Sequence, residues 1–341
     1  MTLELLTYIL LIFIASFAVF TNKNNIIKFL YIPLYVVFLV IIRNSGFDTD
    51  IQAYSEYMHY FSFYMIREFV FYGIMYQLYN LLENEILTFL IVDIIFFILL
   101  LINIKQLNSD KVNSSFILLS LVTLSFPFIM GIENIYRQLL ASLLVLFAYN
   151  IRKKNEFYSN AFFLISLFFH NSMILFFPLL VLVKFFTLNL KSRLFITLLF
   201  LIIEIIFITG LLQGIITGGK SNVSTGLNLS YFYYLLFLTS SVFFIFKFNY
   251  KLRRYLILFP SALFAIFILF PLVFLSNGDS SAAERVGMTT IIIFIVELYN
   301  YSLTIKNKEK ANLFRLLILL TFSLPTLVFS SARNFLLTTL G

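Results

Sequence analysis

The sequence predicts an all-α, polytopic helical membrane protein, with residues 1–341 as a single integral membrane domain. Three observations carry that reading. The chain is 61% hydrophobic and only 12% charged, whereas a soluble protein carries about 25% charge, so its polar side chains are too few to cover a surface facing water. Apolar runs of roughly 17–24 residues, long enough to cross ~30 Å of hydrocarbon, recur along the whole length. The few basic residues fall in short gaps between those runs, as the inner loops of a membrane protein require.

The runs lie at 3–20, 26–42, 86–103, 114–130, 132–150, 160–183, 194–212, 230–248, 255–276, 286–303 and 313–331. They imply about 10–12 transmembrane segments. The first has no basic stretch ahead of it and carries Glu4, so it reads as a retained span and not a cleaved signal. Lys23 and Lys28, Lys105 and Lys111, and Arg152, Lys153 and Lys154 mark three cytoplasmic loops. Segment 43–85 sets Arg43 and Arg67 against Asp48, Asp50, Glu56, Glu68, Glu83 and Glu85, a net of −4, which places it outside together with the N-terminus. Within it, Ile51, Tyr54, Met58, Phe61 and Met65 recur at helical spacing, with Gln52, Ser55, Glu56 and His59 on the other face. A second aromatic helix at about 66–82 follows, and both are expected to lie on the bilayer as an outer rim.

Parity fails once. Lys184, Lys191 and Arg193 look as cytoplasmic as the Arg152–Lys154 loop before them, and Lys251, Arg253, Arg254, Lys306, Lys308 and Lys310 agree with them. Run 160–183 is therefore expected to enter and return as a re-entrant hairpin broken near His170 and Asn171. Non-helical backbone at that depth is tolerated only against protein or a water-filled cavity. The competing explanation is an extra crossing at 66–82.

Several chemistries are excluded. With no cysteine there is no thiolate nucleophile, disulfide or Cys-based metal site, and two histidines, His59 and His170, do not suit a His-rich metal centre. No metal or cofactor is expected. The net charge of +8 is not gathered into a basic face, so no nucleic-acid partner is expected. The 45 phenylalanines read as lipid-facing packing. Gly214 to Ser221 matches the phosphate-loop pattern, but that pattern works only between a strand and a helix of an α/β domain. It reads instead as part of an extracytoplasmic Gly/Ser-rich loop, residues 213–229, with a mobile lid as its functional version.

Asp93, Arg137, His170, Glu204 and Glu297 lie inside the runs, where an ionisable group costs several kcal/mol unless paired or wet. Asp93 and Glu204 each invite a buried basic partner. Glu297 stands near an inner end and is expected to snorkel. His170 sits at the expected helix break. Arg43, Arg137, Arg285 and Arg333 fall at the extracytoplasmic ends of spans, against the positive-inside trend. Glu133 and Arg137 are i,i+4 partners, which a structural reading makes a capping ion pair. Arg137 with Gln138 also offers a planar fork and an amide suited to a phosphate. Arg43, Gly46, Asp48, Asp50 and Tyr54 combine a cation, a turn, two carboxylates and an aromatic ring. Spacing alone does not separate an acid/base cluster there from an ordinary surface loop.

Taken together, Arg43…Gly46…Asp48/Asp50…Tyr54, then Asn134-Ile-Tyr-Arg137-Gln138-Leu-Leu-Ala141, then Phe169-His170-Asn171-Ser172, then Glu284-Arg285 resemble the EpsG family of bacterial membrane proteins, relatives of the Wzy-type O-antigen and capsular polysaccharide polymerases. The family patterns look like R-x-x-G-x-D-x-x-x-Y, N-x-x-R-Q-x-x-A and F-H-x-S-A. Met173 departs from the small residue usual after the serine, Asp48 competes with Asp50 for the aspartate position, and the C-terminal third matches weakly beyond Arg285.

The resemblance implies glycosyl transfer at the outer face of the cytoplasmic membrane, moving a glycan from undecaprenyl diphosphate onto a new lipid-linked repeat unit. The helices are compatible with a GT-C-like arrangement. Arg137, Arg285, Arg43 and Gln138 would bind the diphosphate. Asp50, His170 or Asp48 would take the acceptor proton, and Tyr54, Glu133 and Asn134 would hold sugar. The partners implied are undecaprenyl-diphosphate-linked oligosaccharide, the lipid bilayer, and a chain-length regulator and flippase of the same pathway. A lipid-linked oligosaccharide flippase or other transporter would favour two related halves, and no repeat is seen. An O-antigen ligase would share the leaving group and differ in acceptor. A membrane acyltransferase using His170 would need an acyl-donor site, which the sequence does not offer.

Overall fold

A computed structural model gives the fold, and it describes residues 2–46, 49–60, 68–107, 115–133, 135–183, 259–265 and 281–328, with Leu336 and scattered positions between 191 and 202. Among the described residues every regular element is helical. In chain order they are α1 (Leu3–Thr21), α2 (Asn24–Asn44), α3 (Thr49–Met58), α4 (Phe69–Leu82), α5 (Glu85–Leu107), α6 (Ser115–Thr123), α7 (Phe126–Glu133), α8 (Tyr136–Ile151), α9 (Glu156–Phe169), α10 (Phe177–Leu182), α11 (Phe259–Phe264), α12 (Ser281–Ser302) and α13 (Lys308–Val328).

α1, α2, α5 and α13 are each long and apolar enough to cross a bilayer, and α6 with α7 reaches that length across a 62° bend. The chain is a polytopic helical membrane protein. Asparagine starts its helices repeatedly. Asn84 Oδ1 accepts from Leu87 N, Asn155 Oδ1 from Tyr158 N and Asn307 Oδ1 from Lys310 N, at 2.9, 3.1 and 3.1 Å. Each satisfies one of the N–H groups that a helix start leaves open.

Burial sorts the helices into two sets. α6, α7, α8 and the stretch of α12 from Val286 to Tyr299 are closed in on nearly every side, as helices apolar all round must be. The four long spans bury only 33–39% of their apolar windows. On α1, Leu6, Leu10, Phe13, Phe17 and Phe20 form an exposed stripe, with Phe13 71% exposed. Such a stripe is stable against lipid tails, whereas water would penalise it.

The described basic loops gather at one end. Lys154 Nζ donates to Gln106 O at 3.1 Å, joining the loop after α8 to the last turn of α5. Arg315 Nη1 donates to Asn22 Oδ1 at 3.1 Å and its Nε to Ser302 Oγ at 2.8 Å, joining the ends of α1 and α12 to α13. α8 and α12 run parallel, since Ser142 bonds Thr289 at 2.5 Å and Tyr149 further along bonds Glu297. Their C-terminal ends therefore share that side.

Four expectations change. Runs 114–130 and 132–150 are not two straight spans. Ser125 Oγ turns back to Val122 O at 2.6 Å, and Pro127, with no N–H to give, suits the first turn of a new helix. Glu133 ends α7 and Tyr136 opens α8, so the i,i+4 geometry read for Glu133 and Arg137 does not apply. Glu297 does not snorkel: it is 2% exposed and accepts the Tyr149 hydroxyl. The apolar face of α3 (Ile51, Tyr54 and Met58) is buried in the protein, and α3 packs on α4.

The expected break at His170 is present: α9 stops at Phe169, His170 is extended and a 3-10 turn covers Asn171–Phe176. Lys184, one of the charges that led to a hairpin over 160–183, lies outside the described residues. So do Glu204, Arg333, the phosphate-loop match, loop 213–229 and run 230–248.

Candidate functional site

The site is built on a buried ion pair. Arg43, in the last turn of α2, presents its guanidinium to Asp93 of α5, with Nε to Oδ2 at 2.7 Å and Nη2 to Oδ1 at 2.9 Å. Both side chains are closed to solvent, at 1% and 0% exposure. Nη2 also donates to Ile132 O at 3.0 Å, a carbonyl left open because α7 stops one residue later. The Tyr136 hydroxyl donates to Asp93 Oδ1 at 2.8 Å, and the guanidinium lies 5.1 Å from the Tyr136 ring and 5.4 Å from that of Phe89. A buried charge pair needs close geometry and further hydrogen bonds to offset its lost hydration, and here Ile132 O and the Tyr136 hydroxyl add to the fork. The consequence is local: Tyr136, the first residue of α8, is pinned, and the next residue is Arg137.

Arg137 projects into a second cluster. Its Nη1 donates to Glu68 Oε2 and to Tyr72 Oη, the latter at 2.9 Å. The guanidinium lies over the rings of Tyr54 and Tyr72 at 5.7 and 5.8 Å, an attraction between cation and ring face. Glu68 immediately precedes α4. Its other oxygen, Oε1, meets His170 Nδ1 at 2.5 Å, with Asn171 N at 3.5 Å. The extended backbone of His170 between two helical pieces carries the imidazole there. Glu68 and His170 are 8% and 5% exposed, while Arg137 retains 26%. Arg137 is thus the side chain of the three most open.

Electrostatics keeps Glu68 ionised. Burial opposes its charge, but the His170 hydrogen bond, the charges of His170 and Arg137 and the Asn171 N–H together hold its pKa below the ordinary carboxylate value. Among the described residues no three His, Asp or Glu side chains converge in a way that could hold a metal ion.

The structure brings Arg137, His170 and Tyr54 together. Tyr54 is buried, its ring against Phe71, Tyr72 and Tyr136, so its described contacts are with protein. Arg43 stands apart, buried with its Nε and Nη2 given to Asp93 and Ile132, where the sequence led to a diphosphate-facing position. Gln138 is buried and lines a cavity of about 10 Å³ with Gly131, Ser142 and Met288. Glu133 is buried at the end of α7. Asp48 and Asn134 lie outside the described residues, and only the backbone of Asp50 and Arg285 is described. Position 285 stands four residues before Thr289, as Gln138 stands four before Ser142, so the Ser142–Thr289 bond sets the two backbones level on parallel helices.

Sequence reasoning missed Glu68 and Tyr72 as site residues. Glu68 was one of six acids in an outer segment, and nothing local marks a contact with residues 69 and 102 positions away. Asp93 did carry a signal, a carboxylate in an apolar run that required a cation.

Comparison with known proteins matches residues 26–338 to the EpsG family. No curated protein and no solved structure matches the chain.

Proposed function

Since the chain belongs to the EpsG family, whose members are Wzy-type polymerases, we propose that it joins undecaprenyl-diphosphate-linked repeat units by glycosyl transfer at the outer face of the cytoplasmic membrane. The observation that carries this reading is the meeting of Arg137 and His170 at one buried carboxylate.

The acceptor hydroxyl oxygen attacks the anomeric carbon of the growing glycan, and the bond from that carbon to the diphosphate breaks. Its electron pair leaves on undecaprenyl diphosphate. Arg137 binds those phosphate oxygens through its planar fork and stabilises the charge they gain. Arg285, level with position 138 on the neighbouring helix, is the second diphosphate ligand, with Gln138 beside it. The proton of the acceptor passes to His170, and Asp50 and Asp48 are the alternative bases. The aromatic rings of α3 and α4 line the sugar side, and apolar helix faces accept the polyprenyl tails. Arg43 acts at one remove, by holding the start of α8.

Deleting the gene and measuring surface glycan length tests the reaction. Loss of long chains with single repeat units retained on lipid is the expected result, and lipid-linked units accumulating on the cytoplasmic leaflet would mean a flippase instead. Orientation is tested in this cysteine-free chain by single cysteines at Glu83 and Lys153, both exposed. The first should label from outside intact cells and the second only after permeabilisation.

A further inference from the structure

Resting on the polymerase reading, we propose that Glu68 is the positioning residue of the site, one carboxylate that sets the imidazole of His170 as a base while holding Arg137 at the diphosphate. Its two oxygens are divided between the two tasks: Oε2 takes Arg137 Nη1, and Oε1 takes His170 Nδ1 at 2.5 Å. An ionised carboxylate only accepts, so the neutral imidazole must carry its proton on Nδ1 and its lone pair on Nε2. As the new glycosidic bond forms, Nε2 takes the hydroxyl proton, and the imidazolium that results faces a carboxylate already in contact. Glu68 touches neither substrate nor reacting atom in this role and acts through His170 and Arg137.

The partners of Glu68, which itself precedes α4, come from two separate stretches, the start of α8 and the break after α9. A carboxylate that only stapled α4 to the bundle would need one of them. Among the described residues, the elements around His170 bring few other charged or titratable groups. α4 brings Tyr72, and Arg137 reaches Glu68 from α8. α7 carries Glu133, while α12, packed on the 3-10 turn, has Glu284 and Arg285 in its N-terminal turns.

The chain has two histidines, which makes the test direct. With His59→Gln, His170 is the sole imidazole, and its 15N resonances in detergent micelles read tautomer and titration without any assay. The Nδ1–H tautomer is expected in the unmodified site, and Glu68→Gln should lower the pH at which the ring titrates, because the charge favouring imidazolium is gone. In proteoliposomes supplied with undecaprenyl-diphosphate-linked repeat units, Glu68→Gln should reduce kcat by about 10²–10⁴-fold and move the acid limb of the kcat profile to lower pH. Glu68→Asp, which keeps the charge on a shorter arm, should restore part of the rate and the wild-type limb. An Nε2–H tautomer in the unmodified site, or a Glu68→Gln enzyme with unchanged titration and rate, overturns the proposal and leaves the polymerase reading intact. If the unmodified protein makes no polymer, the polymerase reading falls, while the 15N spectra still decide the pairing of Glu68 with His170.

Discussion

Arg43 and Asp93 meet fork to fork, Nε to Oδ2 at 2.7 Å and Nη2 to Oδ1 at 2.9 Å, in a place from which solvent is excluded. Removing one partner leaves the other charge buried and uncompensated, at a cost of about 3–5 kcal/mol. Arg43→Ala and Asp93→Ala should each lower the detergent-solubilised melting temperature sharply, and Arg43→Lys should rescue little, since an ammonium cannot supply the fork. The double replacement Arg43→Met with Asp93→Leu should recover much of the stability. A double variant no more stable than either single one would refute this account of the pair.

Arg137 behaves differently because part of it is open. Arg137→Ala should cost about 10²–10³-fold in kcat while the protein still reaches the membrane at near-normal levels. Arg137→Lys should retain binding of the lipid-linked donor better than turnover, as a point charge without the planar fork. Normal glycan length in cells carrying Arg137→Ala would remove the guanidinium from the mechanism.

The pH dependence follows from Glu68, whose pKa is held below the ordinary carboxylate value against burial by His170, Arg137 and the Asn171 N–H. A carboxylate depressed on folding adds stability that is fully present above its unfolded pKa and is lost as the pH falls through its folded one. Melting curves should therefore fall off on the acid side in the unmodified protein. With Glu68→Gln that acid-side loss should be shallower, and parallel curves for the two proteins would contradict the assignment.

Gly131 permits the close approach of α7 to α8. A Cβ there would lie 3.0 Å from Leu139 Cβ and 3.0 Å from its Cδ2. Gly131→Ala should destabilise by about 1–3 kcal/mol through overpacking. Adding Leu139→Ala should not relieve it fully, because the Cβ of residue 139 remains. Full recovery in that double variant would mean the contact is softer than the geometry implies.

The sequence read the long spans well, because an apolar run of the right length is itself the physical requirement for crossing a bilayer. It also read Asp93 correctly as needing a cation, and His170 as standing where a helix ends. It missed the bend between α6 and α7. Hydropathy sums over such a break without registering it, although the Ser125-Phe126-Pro127 step carried the signal. It assigned Arg43 to the diphosphate because an arginine at an outer span end looks the same whether it faces substrate or a buried aspartate. Glu68 was hidden for a related reason: the partners that give it meaning are brought to it only by the packing of α4 against α9.

The short helices beside the cluster set its depth. α8 has 16 residues and α9 has 14, about 24 and 21 Å of rise at 1.5 Å per residue, against ~30 Å of hydrocarbon. If both start at the inner interface, their far ends stop roughly 6–9 Å short of the opposite headgroups. The bilayer around this site must pucker inward, or a wet funnel must open above it. A lipid-borne diphosphate would then travel down from its own leaflet surface to reach Arg137, drawing its tail deeper as it comes.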